Sequence, residues 1–256
     1  MLRVRNLDKR FDGIKAVQDC SFRVDDNSIT ALIGPNGAGK TTVFNLITGF
    51  IRPDNGKIRY KGKSLTGIKP YKIANFGIAR TFQLIRLFPK LTVIENLMLA
   101  TRQRGENLLD AIFRPGKVRQ EEKRKIRFCM KLLKLVGLEE KADARAENLS
   151  YGQQKLVEIA KVLATRADLI LLDEPVAGVN PVMRKKIKEV LQRLKKAGKT
   201  ILLIEHDMPF VMDVCEKVIV LDRGKEIAVG TPKQIASNKQ VLEAYLGQGR
   251  DKGMEI

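Results

Sequence analysis

The chain has 256 residues, 44% of them hydrophobic, and carries 48 Lys and Arg against 29 Asp and Glu, a formal net charge of +19. That size argues for one sizeable core, alone or with an attached subdomain, and against two large independent domains. No apolar stretch approaches the roughly 18 residues of a membrane-spanning helix, the opening Met1-Leu-Arg-Val-Arg-Asn lacks the apolar region of a secretory signal, and Cys20, Cys129 and Cys215 are too few and too scattered for a disulfide framework or zinc site. The chain is therefore expected to be soluble and cytoplasmic. Its charge suits an environment that supplies anions: nucleotide, nucleic acid or an acidic membrane surface. Basic residues concentrate in 114–134 and 184–199, both amphipathic, where a solvated helix face explains them equally well.

In chain order, Leu2 to Leu7, Ser21 to Val24 and Lys57 to Tyr60 are short strand-like runs separated by turn signals such as Asp12-Gly13 and Pro53-Asp54-Asn55-Gly56, which predicts an antiparallel β region. Within it, Ser28 to Ile33 is an apolar strand that enters a glycine-rich turn, and Lys40 to Thr48 follows as a helix. From Thr92 to Arg166 the periodicity is helical: Ile126, Cys129, Met130 and Leu133 fall at i, i+3, i+4 and i+7, as do Leu156, Ile159, Ala160 and Leu163. Leu169 to Leu172 then reads as a buried parallel strand, Pro181 to Ala197 as a helix and Thr200 to Ile204 as another buried strand. Strands at Val218 to Leu221 and Ile227 to Val229 and a helix over Pro232 to Leu246 close the chain.

Three segments carry chemistry. Gly34-Pro35-Asn36-Gly37-Ala38-Gly39-Lys40-Thr41-Thr42 satisfies the P-loop pattern between a strand and a helix. In such a loop the backbone N–H groups and the helix N-terminus face phosphate oxygens; Lys40 would reach the β- and γ-phosphates, Thr41 would place its hydroxyl on Mg²⁺, and Thr42 would assist at the α-phosphate. Taken alone, the loop suits a kinase or GTPase as well. Leu169-Ile-Leu-Leu-Asp173-Glu174-Pro175 ends a buried strand in two carboxylates, placed for Asp173 to hold Mg²⁺ through water and Glu174 to orient or deprotonate the attacking water. Between them, Leu149-Ser150-Tyr151-Gly152-Gln153-Gln154 opens a helix with Ser150 suited to its N-cap.

With that segment in this position, the sequence resembles the ATP-binding cassette (ABC) family, whose signature occupies the same slot. The resemblance implies an α/β fold: a single nucleotide-binding domain over 1–256, with a P-loop NTPase (RecA-like) core and an antiparallel β subdomain in 1–87 and 167–256, and a helical subdomain in 88–166. It implies ATP and Mg²⁺ as ligands and ATP hydrolysis as the activity. Ser150, Tyr151, Gly152 and Gln153 would contact the ATP held by an opposite subunit, so the working unit would be a head-to-tail pair of this chain or of homologous chains. Gln83 matches the Q-loop that touches Mg²⁺ and water and relays nucleotide state; His206, the one histidine, matches the switch residue at the γ-phosphate; Phe11 matches the aromatic that stacks on adenine. The D-loop departs from the common pattern, because Asn180 stands where Asp is frequent.

Pro175-x-Ala177-Gly178-x-Asn180-Pro181, Arg80-Thr-Phe-Gln83, Leu87-Phe88, Leu91-Thr-Val-x-Glu95-Asn-Leu97 and the ending Tyr245-Leu246-Gly247 look like one subgroup, the ATPase subunits of branched-chain amino-acid importers. That subgroup implies transmembrane permeases, an extracellular substrate-binding protein and a place at the cytoplasmic face of the membrane, held there by the permeases. Urea or amide importers share the plan. A lipopolysaccharide-export ATPase shares the ending, but would carry another triplet before Gln83 and Asp at 180. Nucleic-acid-associated ABC proteins fit the charge, but split the cassette with a coiled coil or carry two cassettes; this chain does neither, so nucleic acid is not the expected partner. A regulatory protein that binds ATP without hydrolysing it is opposed by the intact Glu174 and His206.

Overall fold

The computed structural model describes residues 1–101 and 115–246. They form two compact units, one built from Met1–Arg80, Asp168–Ala177 and the chain from Leu191 onward, the other from Thr81–Ala167 and Gly178–Val190.

The first unit contains two sheets. In the four-stranded antiparallel sheet the order is β2-β1-β4-β5, with β1 at Leu2–Phe11, β2 at Ile14–Val24, β4 at Asn55–Tyr60 and β5 at Lys63–Ser64. Leu2 and Val4 point into the core while Arg3 and Arg5 face solvent, the alternation of a half-buried strand. β1 runs past the expected Leu7 to Phe11, and its register shifts between Leu7 and Arg10. These irregularities interrupt the period-2 pattern and hide the second half of the strand from the sequence.

The six-stranded sheet has the order β10-β9-β3-β8-β7-β6: β3 is Ile29–Ile33, β6 Ile78–Arg80, β7 Leu169–Asp173, β8 Thr200–Ile204, β9 Lys217–Asp222 and β10 Lys225–Gly230. From β9 to β6 the pairs are parallel, with β10 antiparallel at the edge. Every residue of β3, β7 and β8 is buried, as strands covered on both faces require. Leu2, Leu7, Val24 and Ile58 of the antiparallel sheet share one core with Phe44 and Ile47 of helix α1 (Lys40–Ile47) and with Leu171, Leu202 and Leu221 of the parallel sheet. β6 was not expected from the sequence, since three residues are too short to display a period. Helix α2 (Pro70–Asn75) precedes it.

In the second unit, helices α3 (Val93–Ala100), α4 (Pro115–Val136) and α5 (Tyr151–Ala164) pack around Leu97, Cys129, Leu133, Val136, Leu156 and Ile159. Ile126, expected in the apolar stripe of α4, lies at the surface at 36% exposure; the buried stripe starts one turn later, at Cys129. Reciprocal capping boxes, Thr92 with Glu95 and Ser150 with Gln153, start α3 and α5.

Helix α6 spans Pro181–Lys196 and α7 spans Met208–Val214. The single terminal helix expected over Pro232 to Leu246 is two, α8 (Pro232–Ala236) and α9 (Lys239–Leu246), because Ser237 caps the first and the Asn238 side chain accepts the Val241 N–H of the second. Gly247 of the expected ending and Arg114 of the first basic stretch lie outside the described residues.

Candidate nucleotide-binding and hydrolysis site

Parallel strands in one sheet deliver their C-terminal ends to one edge, and here that edge collects the reactive groups of the first unit. The Gly34–Thr42 loop follows β3, Asp173 and Glu174 end β7, His206 follows β8, and Arg80 ends β6. The register keeps these ends level, with Leu32 paired to Ile204 and Ile204 to Asp173.

The loop is shaped by close backbone approach. Gly39 has φ +96°, and a Cβ there would stand 2.4 Å from the Ala16 carbonyl oxygen of β2, so any side chain would push the loop off the hairpin. Gly224 anchors it from the other side, donating to Ala38 O at 3.1 Å and accepting from Gln18 N at 2.8 Å. Gly34 and Pro35 are buried while Asn36 and Gly37 are exposed, so the tip of the loop is open to a ligand. Lys40, 7% exposed, donates from Nζ to Gly34 O at 2.7 Å and Pro35 O at 2.8 Å. Burial lowers its pKa, and the charges of Glu174 and Asp173 oppose that shift. Its ammonium has three N–H groups and the loop takes two, leaving donor capacity for an anion. Thr41 is exposed and Thr42 half-buried on the first turn of α1, a helix with no acidic residue in that turn to repel phosphate.

Asp173 is 4% exposed and lies 3.3 Å from the Arg80 guanidinium, which also donates to Asn45 Oδ1 at 2.7 Å and Thr48 Oγ1 at 3.3 Å. A carboxylate and a hydroxyl, Asp173 and Thr41, suit a hard cation such as Mg²⁺, which takes most of its ligands from phosphates and water. Glu174 occupies the left-handed region at φ +49°, a strained position for a residue with a Cβ. Its backbone N–H donates to Ile204 O at 3.0 Å, and its Oε1 stands 3.2 Å from His206 Nε2. The turn thus aims the carboxylate at the histidine, within hydrogen-bond reach.

Phe11 is 43% exposed at the end of β1, with the Lys9 ammonium 5.4 Å from its ring centre. The same hairpin supplies Ala16 to the loop. Phe11, the 34–42 loop, Asp173, Glu174 and His206 all belong to the first unit; Gln83, Ser150, Tyr151, Gly152, Gln153 and Asn180 belong to the second. In the latter, Gln83 is exposed and its carbonyl oxygen accepts from Lys155 Nζ of α5 at 3.4 Å. Ser150 Oγ accepts the Gln153 N–H at 3.4 Å, and Gln153 Oε1 accepts the Ser150 N–H at 2.9 Å. Tyr151 is 47% exposed beside them. Gly152 is buried, and a Cβ on it would come within 3.0 Å of Met183. Asn180 Oδ1 accepts the Met183 N–H at 2.9 Å, so the amide serves as the N-cap of α6.

Two residues beyond the sequence expectation join the site. Tyr245 of α9 accepts the Gly34 backbone N–H on its hydroxyl, and burial raises its pKa. Glu205, 2% exposed at the end of β8, accepts backbone N–H groups from Val176 at 2.9 Å and His206 at 3.2 Å, and from Asp207; burial raises its pKa against those bonds. The sequence signal for Glu205 is a charged residue closing an otherwise apolar strand.

Residues 17–177 match the ABC transporter family, and residues 225–251 match the family described as branched-chain amino acid ATP-binding cassette transporter. The chain belongs to the ABC transporter family and is an ATP-binding cassette with ATPase activity. It is 41% identical over 97% of its length to the high-affinity branched-chain amino acid transport ATP-binding protein BraF of Pseudomonas aeruginosa, of which 98% is covered. LivG of Escherichia coli, with the same descriptive name, shares 41% over the same proportions of each chain. Among solved structures, a nucleotide-free ATP-binding cassette from an ABC transporter superposes with TM-score 0.84 at 35% identity, covering 96% of this chain and 98% of that one. The ADP conformation of the cassette MJ1267 gives the same values.

Proposed function

We propose that this chain is the ATP-hydrolysing subunit of an importer for branched-chain or other hydrophobic amino acids. Two cassettes, identical or homologous, would pair head to tail and drive separate transmembrane permeases fed by an extracellular substrate-binding protein. The cargo is inferred from the names of the relatives and from the match at residues 225–251. Permease docking is supported by the exposed apolar side chains of Leu84 and Phe88, in the irregular segment before α3, and of Leu99 on α3, at 80%, 55% and 61% exposure. Among the described residues no helix is long and apolar enough to cross a membrane, so attachment through the permeases, at the cytoplasmic face, fits the chain.

The observation that carries the catalytic reading is the gathering of Lys40, Asp173, Glu174 and His206 at one sheet edge, with Glu174 Oε1 3.2 Å from His206 Nε2. In this reading Lys40 and the loop N–H groups neutralise and hold the β- and γ-phosphates, and Phe11 offers its face to adenine. Glu174 holds the water that attacks the γ-phosphorus and takes up its proton as the bond to the β-phosphate oxygen breaks. His206 steadies that carboxylate and contacts the γ-phosphate. Thr41 and Asp173 would hold Mg²⁺, which supplies charge neutralisation on the phosphate oxygens, and Gln83 is the further ligand that the family resemblance implies. Ser150, Tyr151, Gly152 and Gln153 form a capped helix start, exposed at Ser150 and Tyr151, that would face the ATP of the opposite cassette and make hydrolysis depend on pairing.

Glu174→Gln keeps the shape and removes the base. It is expected to bind ATP normally, to lose turnover by at least about a hundredfold and to accumulate as a nucleotide-bound pair in size-exclusion chromatography with light scattering. Turnover at the wild-type rate would remove Glu174 from this role; a variant that stays monomeric with ATP bound would remove the pairing.

A further inference from the structure

Glu174 sits at φ +49°, and such a backbone conformation persists only where its surroundings enforce it. The enforcing contacts come from the end of β8. Ile204 O accepts the Glu174 N–H at 3.0 Å, and the next residue, Glu205, reaches past the turn to accept the Val176 N–H on Oε1 at 2.9 Å. Its other oxygen, Oε2, accepts the His206 N–H at 3.2 Å, and the Asp207 N–H also turns to the carboxylate. One buried side chain thus bonds the backbone on both sides of the gap that the Glu174 and His206 side chains bridge.

We propose that Glu205 is a positioning residue for hydrolysis, a carboxylate clamp that fixes the Glu174 turn and the His206 peptide relative to each other. The chemistry requires a carboxylate. Three N–H donors converge on the group from two loops, and only a side chain with acceptors at both ends satisfies them without presenting a donor of its own. Glutamine offers one oxygen, so its NH₂ would face either Val176 N–H or the His206–Asp207 pair. Alanine would take the carboxylate acceptor from all three donors, at greatest cost at the buried Val176 N–H. At 2% exposure the carboxylate is closed off by protein, so it does not touch substrate and acts through Glu174 and His206. Asp207 lends independent stiffness by capping α7, its Oδ1 accepting the Phe210 N–H at 2.9 Å.

The inference rests on the catalytic reading of Glu174, and the experiment separates the two. Steady-state ATPase activity and equilibrium nucleotide affinity are measured for the full chain and for Glu205→Gln, Glu205→Ala and Glu174→Gln. Glu205→Gln is expected to lower kcat about ten- to a hundredfold while KM and nucleotide affinity stay within about threefold, because the phosphate-binding loop is untouched. Glu205→Ala is expected to be worse in the same parameter. If Glu174→Gln is inactive while Glu205→Gln turns over at the wild-type rate, the clamp is refuted and the base stands. If Glu174→Gln retains full turnover, the catalytic reading fails first. A Glu205→Gln chain that loses kcat and nucleotide affinity in equal proportion would show a general loss of structure and overturn positioning; should Glu205→Ala fail to fold, the milder Gln variant still decides.

Discussion

Arg80 offers a quantitative test of how the site is held together. Its guanidinium is 6% exposed and bonds Asp173, Asn45 and Thr48, while Phe44 and Phe50 lie with ring centres 5.9 and 5.6 Å from its central carbon. Arg80→Met conserves much of the stem volume but takes the guanidinium away from the Asp173 carboxylate, 5% exposed as a side chain. Breaking a buried pair by removing one partner costs about 3 to 5 kcal/mol, and Lys40 nearby keeps the loss toward the lower end, about 3 kcal/mol. With a urea slope of about 3 kcal/mol per molar, the unfolding midpoint should fall by about 1 M. The double variant Arg80→Met/Asp173→Asn removes both charges and should recover at least half of that loss, since the uncompensated carboxylate is the main cost. Equilibrium urea unfolding of the three variants, followed by circular dichroism in the absence of nucleotide, reads both numbers. A midpoint shift below about 0.3 M, or a double variant no more stable than Arg80→Met, would refute the argument that Arg80 compensates Asp173.

Two further outcomes follow from contacts at the ends of helices. Lys40→Ala removes the one ammonium on the phosphate loop and should weaken ATP binding at least about tenfold by equilibrium titration; unchanged affinity would show that the loop does not hold the phosphates. Asn180→Asp preserves the acceptor for the Met183 N–H and should leave stability within about 0.5 kcal/mol, whereas Asn180→Ala should cost about 1 kcal/mol. Equal losses in the two variants by urea unfolding would mean that the cap contributes nothing at this position.

The loop between β3 and α1 was legible in the sequence because its residue types stand at fixed local spacing: glycines where backbones nearly touch, a lysine and a hydroxyl at a helix start. The buried strands Leu169 to Leu172 and Thr200 to Ile204 were legible for a related reason, since a strand covered on both faces must be apolar throughout. The capping box at Ser150 and Gln153 is likewise a four-residue pattern. Each of these is local, and the physics that selects it acts within one turn or one strand.

Strand order and long-range polar contacts are different, because they depend on which distant segments share an edge. β6 has only three residues and is a strand because β7 lies beside it. The second half of β1 pairs through register shifts that no period predicts. Arg80 reads as one more cation in a chain with 48 Lys and Arg until the sheet sets it against Asp173, 93 residues away. Glu205 reads as a strand end until β8 places it under Val176. The sequence by itself determined the strand-loop-helix unit at 29–47 and the family to which the chain belongs. Only the tertiary structure decided which buried charges meet at the end of the sheet, Arg80 with Asp173 and Glu205 with the Val176 backbone, because desolvation and pairing are properties of neighbours in space rather than in the chain.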